Sequence, residues 1–225
     1  GRRRAAIHDF SASPDDPSTS PHCDVRPRLG PRRGPRPQRQ ISNLPQFLPA
    51  GARRGLHGDA VADRHEIPRQ GADISAGGQI ALSAAMELRD RGVSRLPATI
   101  LISPALDLAM DNPDIDRVQP SDPWLARRGL RVFIDAWRAE LPVDDPRVSP
   151  LCGDFTGLGP LTVFAATRDI VLPDVRLGVE RARAAGVDVT YIEEKGLLHV
   201  HPLQPTPEGR AARETIVGVV RAAVR

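Results

Sequence analysis

The chain has 225 residues, 26% charged and 40% hydrophobic, with 23 prolines, 19 glycines, 4% aromatics and a formal charge of +3, which is the size of one ordinary domain or slightly more. No apolar run approaches the roughly 18 residues that a membrane-spanning helix needs, and Gly1 to Arg4 lead into no signal-peptide core, so membrane and secretory readings fall away. The two cysteines, Cys23 and Cys152, are too few for a disulfide framework or a cysteine-rich zinc site, and the expected compartment is a reducing cytoplasm.

The positive charge is local. Residues 1–70 hold 13 of the 31 basic and 7 of the 28 acidic residues, a net of +6, which leaves −3 for residues 71–225. The same stretch carries 10 of the 23 prolines, including Pro-Arg-Leu-Gly-Pro-Arg-Arg-Gly-Pro-Arg-Pro from Pro27 to Pro37. Proline removes backbone donors and the arginines repel one another, so the stretch has no apolar area to offset the entropy of ordering. It is read as disordered. Clustered arginine can also neutralise nucleic-acid phosphates. No aromatic is interleaved with these arginines to stack bases, however, and Lys195 is the chain's single lysine, so arginine bias belongs to the whole sequence. No nucleic-acid partner is expected.

From Gly71 onward the pattern becomes orderly. Ala76 to Arg91 carries Ile80, Ala84 and Leu88 at helical spacing, with Gly92 as the stop. Ala98 to Ser103 is a nearly continuous apolar run of the kind that forms a strand buried on both faces. Ser121 to Leu141 places Leu130, Ile134, Trp137 and Leu141 on a helical stripe, while Asp111, Asp114 and Asp116 lack the spacing and central glycine of a calcium loop and read as solvated turn residues. Leu161 to Thr167 is a second buried strand. Val175, Val179 and Ala182 mark a helix ended by Gly186, and Val187, Val189 and Tyr191 alternate along a third strand. Thr206-Pro207-Glu208 opens a last helix with the stripe Ala212, Ile216, Val219 and Ala223. Helices joining strands through short connections imply a mostly parallel α/β sheet with helices on both faces. In such sheets chemistry gathers at the carboxyl ends of the strands.

Three residues stand at such ends. Ser75, in Ser-Ala-Gly-Gly just before the first helix, fits a nucleophile on a tight strand-to-helix turn, with the N–H of Ala76 as an oxyanion donor. A lone serine there also suits a helix cap. Serine needs a base, and Asp169 and His199 each follow a strand, giving the order Ser, Asp, His of the α/β-hydrolase triad. His199 with His201 could suggest a metal pair, but no further ligand cluster accompanies them.

The strings Asp73-Ile-Ser-Ala-Gly-Gly78, Ser103-Pro-Ala-Leu-Asp-Leu108, Asp145-Pro-Arg-Val-Ser-Pro-Leu151, Thr167-Arg-Asp-Ile170 and Gly196-Leu-Leu-His-Val200 together resemble the hormone-sensitive-lipase-like esterases, the α/β-hydrolase fold-3 group. The resemblance covers Ala72 to Arg225. It implies hydrolysis of short- to medium-chain carboxylic esters, small-molecule or lipid, through a Ser75, His199 and Asp169 triad and an acyl-enzyme, with no metal or organic cofactor. It also implies a cap over the acyl pocket from Leu106 to Arg147, with Trp124, Phe133 and Trp137 lining the pocket or packing inside the cap.

The departures lie upstream. The family's His-Gly-Gly-Gly loop, whose N–H groups complete the oxyanion hole, is not found: His8-Asp-Phe and His57-Gly-Asp lack the glycine run. Asp73 stands where the family carries glycine, and His65 to Gly71, with a proline and almost no apolar run, offers no strand to feed the turn. The expectation is therefore a hydrolase carboxyl-terminal portion, residues 72–225, behind a segment 1–71 that is disordered or translated out of frame. The alternative is a non-catalytic remnant with a basic arm.

Overall fold

The computed structural model describes residues 71–92 and 95–224; the expectations for the Arg/Pro-rich segment lie outside them. Four strands, β1 (Gly71–Ile74), β2 (Thr99–Ile102), β3 (Leu161–Arg168) and β4 (Val189–Leu198), form one sheet in the order β1-β2-β3-β4. Every neighbouring pair is parallel, so all four carboxyl ends lie along one edge. Between them run α1 (Ala76–Asp90), the one-turn α2 (Ile115–Val118), α3 (Arg127–Arg138), α4 (Leu172–Ala184) and, last, α5 (Pro207–Ala223).

Side-chain alternation assigns the helices to faces. Leu101, Leu161, Val163 and Ala165 point into the main core, which also takes Leu82, Ala85 and Met86 of α1 and Val175, Val179 and Ala182 of α4. Ile100, Ile102 and Phe164 point the other way, against Ala212 and the half-buried Ile216, Val219 and Val220 of α5. All four residues of β2 and the first six of β3 are buried, as expected of strands covered on both sides. α5 begins on Thr206, whose hydroxyl accepts the Gly209 N–H at 3.0 Å, followed by proline in the first turn. Gly92 and Gly186, with φ of 63° and 76°, end α1 and α4 in the left-handed conformation that glycine alone takes without strain.

Three sequence readings change. A strand does feed the Ser75 turn: Gly71 to Ile74 pairs residue for residue with Thr99 to Ile102. Its four residues contain no apolar run because the ladder is made by backbone groups. In the cap, the expected helix from Ser121 to Leu141 shortens to α3, because Asp122 turns its carboxylate back to the N–H groups of Trp124 and Leu125 and holds that segment as a loop. Among the described residues Trp124 and Phe133 are 56% and 74% exposed and so do not pack inside, whereas Trp137 packs on the core.

Among the described residues, no helix is long and apolar enough to cross a membrane. Cys152 is not a free thiol, so the cysteine count lends no weight to a reducing compartment.

Candidate active site

Ser75 follows β1 and precedes α1 directly. A serine there ordinarily caps the helix from extended backbone. Ser75 instead sits at φ 50°, ψ −114° and makes no cap bond, a strained conformation for a residue with a Cβ. Besides the helix bond from the Gln79 N–H, two backbone bonds hold it: its N–H donates to the Ile102 carbonyl at 2.9 Å, and its carbonyl accepts the Ala105 N–H at 3.2 Å. Both partners flank the end of β2. Ser75 is partly buried, and its hydroxyl makes no hydrogen bond among the described residues. Ala76 is the first residue of α1, where N–H groups have no intrahelical acceptor. Ala139 has a similar backbone, φ 51° and ψ −120°, at the end of α3, so strain alone does not mark a site.

Asp169 and His199 stand one residue beyond β3 and β4. They meet: His199 Nδ1 lies 2.8 Å from Asp169 Oδ2, with Asp169 fully buried and His199 7% exposed. A carboxylate oxygen can only accept, so the Nδ1–H of His199 donates to it. The second Asp169 oxygen accepts the Val171 N–H at 3.2 Å. Residues just before α3 brace this corner, since Asp122 Oδ2 accepts the Ile170 N–H at 2.9 Å and the Ser121 carbonyl accepts Arg168 Nε at 3.0 Å.

The parallel sheet thus sets Ser75, Asp169 and His199 on one edge, with β2 between the serine and the acid. Asp169 and His199 are joined by a hydrogen bond; Ser75 is not bonded to either. The arrangement puts an imidazole held through Nδ1 by a buried carboxylate on the same strand-end edge as a serine in a strained turn, and these are the groups that general-base activation of an alcohol uses.

Asp174 escaped the sequence reading, and His201 entered it only in a possible metal pair. His201 is fully buried with its ring edge-on to Phe164 at 6.1 Å, and among the described residues neither ring nitrogen has a hydrogen-bond partner. Burial pushes its pKa down to about 4, so it is neutral and apolar in behaviour. Asp174 of α4, 1% exposed, accepts Asn112 Nδ2 at 2.8 Å. Burial, reinforced by Asp107 and then Asp111, pushes its pKa up to about 8. Asp111 therefore belongs to a buried polar group and not to the solvated turn expected of it. Among the described residues, no group of three or more His, Cys, Asp or Glu is placed to hold a metal ion.

Comparison with known proteins is consistent with this geometry. A family described as the α/β-hydrolase fold matches residues 72–203. An acetyl-hydrolase of Streptomyces hygroscopicus is 32% identical over 177 residues, 73% of this chain and 58% of that protein. An esterase of Acinetobacter venetianus is 31% identical over 118 residues, 52% of this chain and 39% of that protein. The crystal structure of an esterase from the bacterial hormone-sensitive lipase family superposes with a TM-score of 0.65 at 27% identity, over 69% of this chain and 52% of that one. The chain spans about half the length of these relatives.

Proposed function

Because the chain belongs to the α/β-hydrolase fold family, in its hormone-sensitive-lipase-like branch, we propose that it hydrolyses carboxylic esters of small acyl groups with Ser75 as nucleophile, His199 as base and Asp169 as the group that orients it. The observation that carries this reading is the Asp169–His199 hydrogen bond on the strand-end edge where Ser75 is held in a strained, non-capping turn.

In this mechanism Ser75 Oγ attacks the ester carbonyl carbon as His199 Nε2 takes its proton. Collapse of the tetrahedral intermediate breaks the bond to the leaving oxygen, which receives that proton and departs as an alcohol. Water then gives a proton to His199 as its oxygen attacks the acyl-Ser75 carbonyl; collapse breaks the bond to Oγ, His199 returns the proton to Ser75 Oγ, and the carboxylic acid leaves. Asp169 keeps Nδ1–H in place and steadies the imidazolium. The Ala76 N–H supplies one oxyanion donor. The chain carries no His-Gly-Gly-Gly run to supply others, and each missing donor lowers the rate on the order of 10²–10³-fold, so turnover is slow.

The test is hydrolysis of p-nitrophenyl acetate by the full chain. Ser75→Ala and His199→Ala each reduce kcat by about 10³-fold or more. Equal turnover by the parent and Ser75→Ala would remove the serine from the mechanism, and absence of turnover in the parent would leave the non-catalytic remnant as the better account.

A further inference from the structure

We infer that Ser103 is a positioning residue whose hydroxyl holds Val200 in a left-handed conformation and thereby sets His199 against Asp169. The inference rests on His199 being the base of the proposed reaction.

Ser103 is the first residue after β2 and is fully buried, which excludes it as a nucleophile. Its Oγ accepts the Val200 N–H at 3.0 Å, and its own N–H donates to the Phe164 carbonyl at 2.8 Å. Val200, next to His199, has φ 51° and ψ 39°, a conformation that a β-branched residue rarely adopts and keeps only when its surroundings impose it. The β3–β4 ladder reaches Arg168 and Leu198 and ends there. Beyond Leu198, the other bonds to the backbone of 199 and 200 come from the same loop: Leu203 N–H to the Val200 carbonyl at 2.9 Å, and Gln204 Nε2 to the His199 carbonyl at 3.1 Å. These bonds move with the loop. The Ser103 hydroxyl instead ties it to β2.

The same turn holds the serine. The Ile102 carbonyl and Ala105 N–H grip the Ser75 backbone, while Ser103 between them grips Val200. Four consecutive residues, Ile102 to Ala105, therefore fix the positions of both the Ser75 turn and the His199 loop. Without the hydroxyl, Val200 relaxes toward ordinary backbone angles and rotates the His199 ring away from Asp169 and from the serine side of the sheet edge.

Three readouts on the full chain test this: the low-field proton resonance of His199 Nδ1–H, the amide hydrogen exchange of Val200, and kcat against KM on p-nitrophenyl acetate. In Ser103→Ala the resonance weakens or shifts and Val200 exchanges about tenfold faster or more, with the core amide of Val163 unchanged. In the same variant kcat falls by about 10- to 100-fold with KM within about twofold. Ser103→Gly, which accepts the φ of 45° at this position without strain, reproduces these changes and covers the case in which Ser103→Ala fails to fold. Adding Val200→Gly to Ser103→Ala restores the Nδ1–H resonance, because glycine holds a positive φ without help. A resonance and a Val200 exchange rate unchanged by loss of the hydroxyl overturn the proposal, as does a resonance that Val200→Gly does not restore. Equal turnover by the parent and Ser75→Ala instead sinks the ester reading, and the two spectroscopic readouts still decide the role of Ser103.

Discussion

At the residue scale, two buried ionisable side chains give the molecule opposite responses to pH. Asp174 holds its proton up to about pH 8, whereas in the unfolded chain a carboxyl loses it near 3.8. The native state therefore binds more protons across that window, and stability falls as pH rises through it, by up to about 1.4 kcal/mol per unit. His201 does the reverse. It stays neutral down to about pH 4, whereas an ordinary histidine takes up a proton near 6.5, so its contribution is complete above that pH and is lost as pH falls toward 4. The two effects oppose each other between about 4 and 6.5, and above that the Asp174 effect remains. Urea midpoints should drop between pH 6.5 and 8, and Asp174→Asn, which keeps an oxygen for Asn112 Nδ2, should flatten that drop. A parent midpoint unchanged over the interval would show that Asp174 ionises normally. Neither residue announces itself in the sequence, because its surroundings, Phe164 for one and Asn112, Asp107 and Asp111 for the other, come from distant parts of the chain.

At the element scale, the helices and buried strands were legible because each carries its own period. The stripe of α1, the apolar runs of β2 and β3, and the Thr206-Pro207 start of α5 all lie within a residue or two of their expected bounds. β1 was missed because a four-residue strand paired by its backbone has no hydrophobic signature. The helix expected from Ser121 to Leu141 was overextended because its apolar stripe continues in sequence to Leu141, beyond the end of α3. Of the candidate site, Asp169 and His199 were placed after strands and Ser75 just before a helix, whereas Ser103 was seen only as part of a string; the bond it makes joins residues 97 apart in sequence. The cap of α5 gives a direct check. Thr206→Ala removes the acceptor for the Gly209 N–H and should lower unfolding free energy by about 1 kcal/mol with the denaturant slope unchanged. No change would mean that α5 is held by its contacts with Ile100, Ile102 and Phe164 alone.

At the scale of the whole molecule, we propose a boundary at residue 71, between an Arg/Pro-rich segment and the hydrolase portion. Limited trypsin digestion tests it, since arginines occur on both sides. Early cuts should cluster at or before Arg69 and leave a fragment starting at Gln70, with Arg181 and Arg176 protected by their bonds to Leu151 and Glu193. Early cuts spread evenly over the chain would remove the boundary. The sheet also has an order worth following through. Its strands lie side by side in the sequence in which they are made, so each new strand docks on the one just before it. The acid and the imidazole, 30 residues apart on adjoining strands, can meet as soon as the last two strands pair. The serine is held from the far side of β2, so under the proposed mechanism the pair meets its alcohol only once all four described strands are assembled, and the reactivity proposed is a property of that whole sheet and of no smaller part of it.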